Sequence, residues 1–392
     1  MSHDEKHSKP QLSRRTLLKT AGLAVTGGLL SPKNARAENP SGGLSTLPRR
    51  AGIPPRVAIG RADSYDEALI RERVFTMIEQ LGGLDDVVKP GDSVAIKTNL
   101  TGGVSFERVL NAPATESYIT HPSVVRALVE AVQAAGAGDV FIVESVFDNM
   151  SFSLWGYEEI ADDLGVTLVD LNSADPFDDF VEQPVGPDWM IYEKFKINPL
   201  LRDVDVFMSV AKLKCHATAG ITLSMKNLVG MVPMAFYRMS DQDGNRSALH
   251  GPDHQGITRI PSVVTDLVRA RPIHFSLIDG VMTSEGSEGP WNGDRNWHPK
   301  VANVLVAGKN MVATDAVGAA VMGFDPMAAS FLEEPFNFCL NHLQLAATLG
   351  LGTNDLSAIE VVGEPLDSVK VKFRGFRPDK IGQSVIPFGG RI

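Results

Sequence analysis

Cysteine is almost absent: Cys215 and Cys339 are the only two in 392 residues. Two are too few for a disulfide framework, and no C-x-x-C spacing exists for structural zinc or an iron–sulfur cluster. A single Cys215–Cys339 disulfide remains open on the sequence alone. Aromatic residues make up 7% of the chain against 43% hydrophobic residues, a balance that suits an aliphatic parallel-sheet core. No uninterrupted apolar run approaches the roughly 20 residues of a membrane span. No G-x-G-x-x-G follows a strand pattern, so no nicotinamide dinucleotide is expected. The Walker pattern and the G-x-S-x-G elbow are also missing, which argues against nucleotide hydrolysis and an α/β-hydrolase.

What the chain does have begins at its start. Ser13-Arg14-Arg15-Thr16-Leu17-Leu18-Lys19 precedes a mild apolar stretch to Leu30 and then Ala35-Arg36-Ala37. Paired arginines, a weakly apolar run and a small-x-small site, in that order, read as a twin-arginine signal over residues 1–37. The expected location is periplasmic or extracellular, with the twin-arginine translocase as partner during export. No cysteine follows the cleavage site, so no lipid anchor is expected there. The signal holds seven basic and two acidic residues, which leaves 30 Lys+Arg against 45 Asp+Glu, a net charge of −15. Such an acidic surface repels nucleic-acid phosphates and anionic lipid, so neither is an expected partner.

Residues 38–55, rich in Pro, Ser and Gly, read as a linker. Thereafter short β-branched runs alternate with amphipathic helical patterns. The strands are 56–59, 93–97, 140–143, 167–169, 204–210, 275–278, 301–306 and 359–362. The helices are 65–81, 122–135, 154–164, 257–269 and 312–322. This alternation predicts an α/β fold of parallel β-α-β units, and the length predicts one large or two coupled units, read as two lobes with an interlobe cleft. Polar stretches near 172–195 and 236–256 read as long loops, of a kind that is usually functional.

Ligands in open α/β sheets gather at the carboxyl ends of strands. Those ends carry Lys97-Thr98-Asn99, Lys212-Leu213-Lys214-Cys215-His216, and Asp279-Gly280 with Glu285-Gly286 beyond. Three lysines and a histidine at strand ends of so acidic a chain suggest a pocket for a small anionic molecule. The competing reading is a structural ion network in which Lys97 and Lys212 pair with Asp279, Glu285 or Asp315. His121, before Pro122, either caps a helix or acts chemically. A divalent metal is left open, with His250 and His254 as ligands beside Asp279 and Glu285. The loop Asp241-Gln242-Asp243-Gly244-Asn245 starts like a calcium loop but lacks the closing glutamate. Trp291 and Trp297 bracket a loop that either stacks on a ligand or packs on itself.

Lys97-Thr98-Asn99, Thr120-His121-Pro122, Lys212 to His216, and Met225-Lys226-Asn227-Leu228-Val229-Gly230 resemble the domain of unknown function 362 family. Asp279-Gly280, Glu285-Gly286, Thr314-Asp315-Ala316-Val317 and Gly323-Phe324-Asp325-Pro326 extend the likeness over residues 56–365, leaving 366–392 as a C-terminal extension. The chain departs from the pattern at Thr98, where proline is usual, and at Cys215, where threonine is usual. Relatives that carry a ferredoxin-like module have cysteine runs this chain lacks, so no iron–sulfur cluster is carried over. The family is also distantly similar in fold to nickel-dependent lactate racemase, a two-lobed enzyme. The resemblance and the residues together imply His216, His121 and Lys212 as catalytic groups. They imply Lys97, Asn99, Lys214, Lys226 and Asn227 as substrate-binding groups. The chemistry expected is proton transfer next to a carboxylate, of isomerase, racemase or lyase type. The rival expectation is a periplasmic small-anion or metal-binding protein without turnover.

Overall fold

The computed structural model describes residues 53–377 apart from 110–111, 253–254 and 293–296. The signal segment, nearly all of the linker, His254 and the end of the C-terminal extension lie outside the described residues. Every β-branched run singled out in the sequence forms a strand. They are β1 (Arg56–Arg61), β2 (Val94–Lys97), β3 (Val140–Glu144), β4 (Thr167–Asp170), β7 (Val206–His216), β9 (Phe275–Glu285), β10 (His298–Gly308) and β11 (Glu360–Gly363). Three short strands complete the set: β5 (Val181–Pro184), β6 (Lys194–Ile197) and β8 (Gly220–Thr222).

Nine strands form one mixed sheet in the order β11-β1-β10-β9-β7-β2-β3-β4, with β8 beside β7; β5 and β6 pair separately. The run β9-β7-β2-β3-β4 is parallel throughout, and β10 joins it antiparallel to both β9 and β1. The α/β prediction holds, but one continuous sheet stands where two lobes were expected.

Alternation along the strands builds a core on each face. Val57, Ile59, Ala95 and Phe207 join one apolar cluster, with Val263, Leu267 and Val317 from the helices Gly256–Ala270 and Met311–Val321. Ala58, Val94, Ile96, Val206 and Met208 turn to the other face and meet Val74, Val124 and Leu128 from Glu67–Gln80 and Pro122–Ala134. A sheet covered on both faces needs strands that are apolar throughout, which is why β2 and β7 read as continuous hydrophobic runs.

The topology fixes where a ligand belongs. From β2 the chain steps outward through β3 and β4, then returns to the other side of β2 as β7. The direction of winding therefore reverses between β2 and β7, and the crevice outside their carboxyl ends is the topological switch point. β7 also runs six residues past Val210, because β8 pairs with it (Lys214 with Thr222, His216 with Gly220) while β9 flanks its other edge. Lys212, Lys214 and His216 thus lie inside a strand rather than beyond its end, with a register shift between Lys212 and Lys214.

Candidate functional site

A pocket opens at this switch point, enclosing about 690 Å³ with its mouth included. Lys97 and Asn99 enter it from the end of β2, Glu144 from β3, Lys214 and His216 from β7, and Lys226 and Asn227 from the short helix Ser224–Asn227. That helix is placed by Asp315, whose carboxylate accepts from the backbone N–H groups of Ser224 and Met225 at 2.9 Å each. Burial pushes the Asp315 carboxyl up to about 7, with those two hydrogen bonds opposing the shift. Asp315 is therefore an anchor for the lysine-bearing helix and not a lysine partner.

The cations of the pocket are satisfied unequally. Lys97 Nζ is 2.8 Å from Glu144 Oε1 and also donates to the Thr98 carbonyl at 2.7 Å and Asn227 Oδ1 at 3.2 Å. Glu144 in turn accepts from the N–H groups of Leu100 and Ser145. Gly230 makes room for this pair: a Cβ there would stand 2.4 Å from Glu144 Oε1 and 2.7 Å from Lys97 Nζ. Lys214 donates to the Tyr118 carbonyl. Arg246 donates to the carbonyls of Val232 and Ser145 but has no carboxylate partner among the described residues. Lys226, 8% exposed, has neither a hydrogen bond nor an ion pair among them. Burial first, and then the nearby positive charges of Lys97 and Arg246, bring its pKa down to about 8 against the pull of Glu288.

The two pocket histidines are neutral. Burial and the charge of Lys226 bring His250 down to about 4, and burial with the charges of Lys226 and Lys214 carries His216 well below its ordinary value. His216 Nδ1 accepts from the Thr218 N–H at 3.1 Å, which assigns the proton to Nε2. His216 is therefore a hydrogen-bond donor toward the pocket, with its basic nitrogen already engaged. Glu288 is the carboxylate that faces the free lysine. It is fixed by the Ala217 N–H at 2.9 Å and the Trp291 indole N–H at 3.1 Å.

Four expected site residues, Lys212, His121, Asp279 and Glu285, lie outside the pocket. Lys212 is fully buried beneath the pocket, 2.9 Å from Asp279 Oδ2, and donates to Tyr65 Oη at 2.8 Å and the Thr115 carbonyl at 3.0 Å. Asp279 also accepts from Tyr65 Oη and from the N–H groups of His121 and Val281. The ion-network reading applies to Lys212, for which the pocket reading is withdrawn. His121 caps Pro122–Ala134: its Nδ1 accepts from Ser123 N–H and its ring stacks on Tyr65 at 3.7 Å. The capping alternative accounts for it.

The described members of the metal set do not assemble, His254 lying outside the described residues. Asp279 is consumed by Lys212, and Glu285 pairs with Lys300 at 3.0 Å and accepts from Arg374 N–H. His250 lines the pocket without either. No group of three or more His, Cys, Asp or Glu side chains suited to a metal occurs among the described residues. Asp243 of the calcium-like loop accepts instead from Asn245 N–H and Ser247 Oγ. Trp291 packs against Phe106 and Tyr118, and Trp297 against Tyr118. Both cysteines are free and buried, and burial pushes the Cys215 thiol up to about 12.

Sequence reasoning missed Glu144, Arg246 and Glu288. Glu144 closes a strand whose carboxyl end was readable as a site position. Glu288 repeats the Ser-Glu-Gly context of Glu285 three residues on. Arg246 arrives from the long polar loop, and no local pattern marks it.

Residues 94–320 match the family described as "Domain of unknown function (DUF362)". The chain belongs to this family. It is 29% identical over 273 residues to a thylakoid-associated protein of Synechocystis, covering 69% of this chain and 75% of that one. A crystal structure of a Thermotoga maritima protein aligns at a TM-score of 0.33 and 14% identity, covering 64% of this chain; the chain spans 57% of that protein's length. That likeness is too slight to support any argument. These comparisons do not bear out the further resemblance to nickel-dependent lactate racemase. The 362 domain as matched is narrower than the 56–365 over which its motifs are read, and every pocket residue named above lies within it.

Proposed function

We propose that this protein of the 362 family binds a small organic anion at the switch point and moves a proton on it. The substrate class is a hydroxy or oxo acid. The observation that carries the reading is the pair Lys226 and Arg246, buried cations with no ion-pair partner among the described residues. Burying an unpaired charge costs several kcal/mol, which a bound carboxylate offsets. Neutral His250 and the Glu288 carboxylate supply proton acceptors beside it, while the Nε2–H of His216 supplies a donor.

Small hydroxy and oxo acids incubated with the full chain in deuterated water test this by nuclear magnetic resonance. Protein-dependent deuterium uptake next to the carboxylate, lost in Arg246→Gln, supports turnover. Binding by calorimetry without any exchange supports the rival carrier reading, and absence of both sinks the anion pocket.

Export by the twin-arginine route is likewise proposed, on the order of the Arg14-Arg15 segment alone. Replacing both arginines by lysine should retain the precursor in the cytoplasm. Unchanged export would refute that route.

A further inference from the structure

Resting on the small-anion reading, we propose that Lys226 is a carbonyl-reactive amine that condenses with the oxo group of a small 2-oxo acid to form an imine. The pocket contains three lysines, and their surroundings separate them. Lys97 is tied to Glu144, the Thr98 carbonyl and Asn227, and Lys214 is tied to the Tyr118 carbonyl. Lys226 alone has no hydrogen-bond or ion-pair partner among the described residues, and it lines the open space. That freedom favours a lysine nucleophile, since acceptors around an ammonium stabilise its protonated form, which has no lone pair to attack a carbonyl carbon.

Its chemistry is prepared in the same way. A desolvated lysine near other cations loses its proton more readily, a recognised route to imine-forming amines. With a pKa of about 8, roughly a tenth of the Lys226 side chains are neutral at pH 7, far more than for an exposed lysine. Arg246, which has no ion-pair partner among the described residues, supplies the seat for the acid's own carboxylate, so the adjacent carbonyl is presented to the amine. Glu288 lines the same pocket, oriented by Ala217 and Trp291.

The step balances without an oxidant or reductant. The Lys226 lone pair forms the C–N bond as the carbonyl π pair moves to oxygen, and one nitrogen proton passes through Glu288 to that oxygen. The nitrogen then loses a proton to Glu288, which returns it to the hydroxyl, and water leaves. Amine and carbonyl give imine and water. Protonated, that imine draws electrons from the neighbouring carbon, which makes its C–H acidic and links this step to the proton transfer proposed above.

The test is trapping. The full chain is incubated with pyruvate at neutral pH, reduced with sodium borohydride, and analysed by intact mass and peptide mapping. Thermal shifts with pyruvate and with malonate, which has no ketone, run in parallel. The expected result is one reduced adduct per chain, mapped to the peptide holding Lys226, suppressed by malonate and lost in Lys226→Arg. Mapping on the unmodified protein decides the matter even where the variant fails to fold. If both acids raise the melting temperature and no adduct forms on Lys226, the imine is overturned and the anion pocket stands. If neither acid shifts the melting temperature and no adduct forms, both fall.

Discussion

Replacing Asp279 by asparagine should destabilise the protein more than replacing Lys212 by methionine. Both side chains are fully buried and 2.9 Å apart. Removing the carboxylate charge leaves an ammonium with neutral acceptors alone: Tyr65 Oη, the Thr115 carbonyl and the oxygen of the new amide. Breaking a buried pair on one side typically costs about 3–5 kcal/mol. Removing the lysine leaves a carboxylate that still accepts from Tyr65 Oη and the N–H groups of His121 and Val281. Those donors hold the loss to about 2 kcal/mol, on the scale of hydrogen bonds to a charged group. Burial lowers the pKa of Lys212, so part of the Asp279→Asn cost is relieved by the lysine giving up its proton. The double variant should cost at least about 1 kcal/mol less than the two single losses together. Urea unfolding of the four proteins, read by circular dichroism with the slope checked for constancy, measures all three quantities. Two single variants that each lose less than about 1 kcal/mol, with additive effects, would refute a closed ion network here.

Acid should destabilise the fold between pH 6.5 and 4. Burial brings His121, His250 and His274 down to about 4 and His342 to about 3, so in this window the unfolded chain binds more protons. Their contribution is fully present above the unfolded value and is lost as pH falls, at up to about 1.4 kcal/mol per proton and pH unit. Asp315, raised to about 7, works in the opposite direction and offsets one of the four. Urea midpoints that stay flat from pH 7 to 4 would contradict this. Gly230→Ala should cost about 2 kcal/mol or more, because its Cβ would displace the Lys97–Glu144 pair. A melting temperature unchanged in that variant would show that the pair has room to move.

The strands were legible because a doubly covered parallel sheet needs unbroken β-branched runs, and each such run became a strand. The extents were less legible. β7 was expected to stop at Val210, since Lys212 and Lys214 look like the polar end of a strand. Pairing with β8 and β9 overrides that local signal and buries both lysines. Likewise, Lys212 and Lys226 are indistinguishable as lysines in a sequence. What separates them is whether a carboxylate arrives from a distant element, and Asp279 stands 67 residues from Lys212. His121 was ambiguous for a different reason: a histidine before proline suits a cap and a catalytic group equally, and only the Ser123 contact decides.

One face of β7 therefore carries a gradient of satisfaction. At Lys212 every polar group is answered from within the protein, by Asp279, Tyr65 and Thr115. At Lys214, two residues on, one carbonyl answers the ammonium, and burial with the neighbouring charges of Lys226 and Lys212 holds its pKa well below the ordinary value. At the pocket, Lys226 has no hydrogen bond or ion pair among the described residues, with the Glu288 carboxylate as its nearest electrostatic counterweight. The same strand thus serves as structure at one end and lines the pocket with Lys214 and His216 at the other. Rigidity follows from the first, since Lys212 and Asp279 tie β7 to β9 and to the entry of Pro122–Ala134. Lys214 and His216, held on such a strand, keep their positions at the pocket wall, the fixity that preorganised sites require.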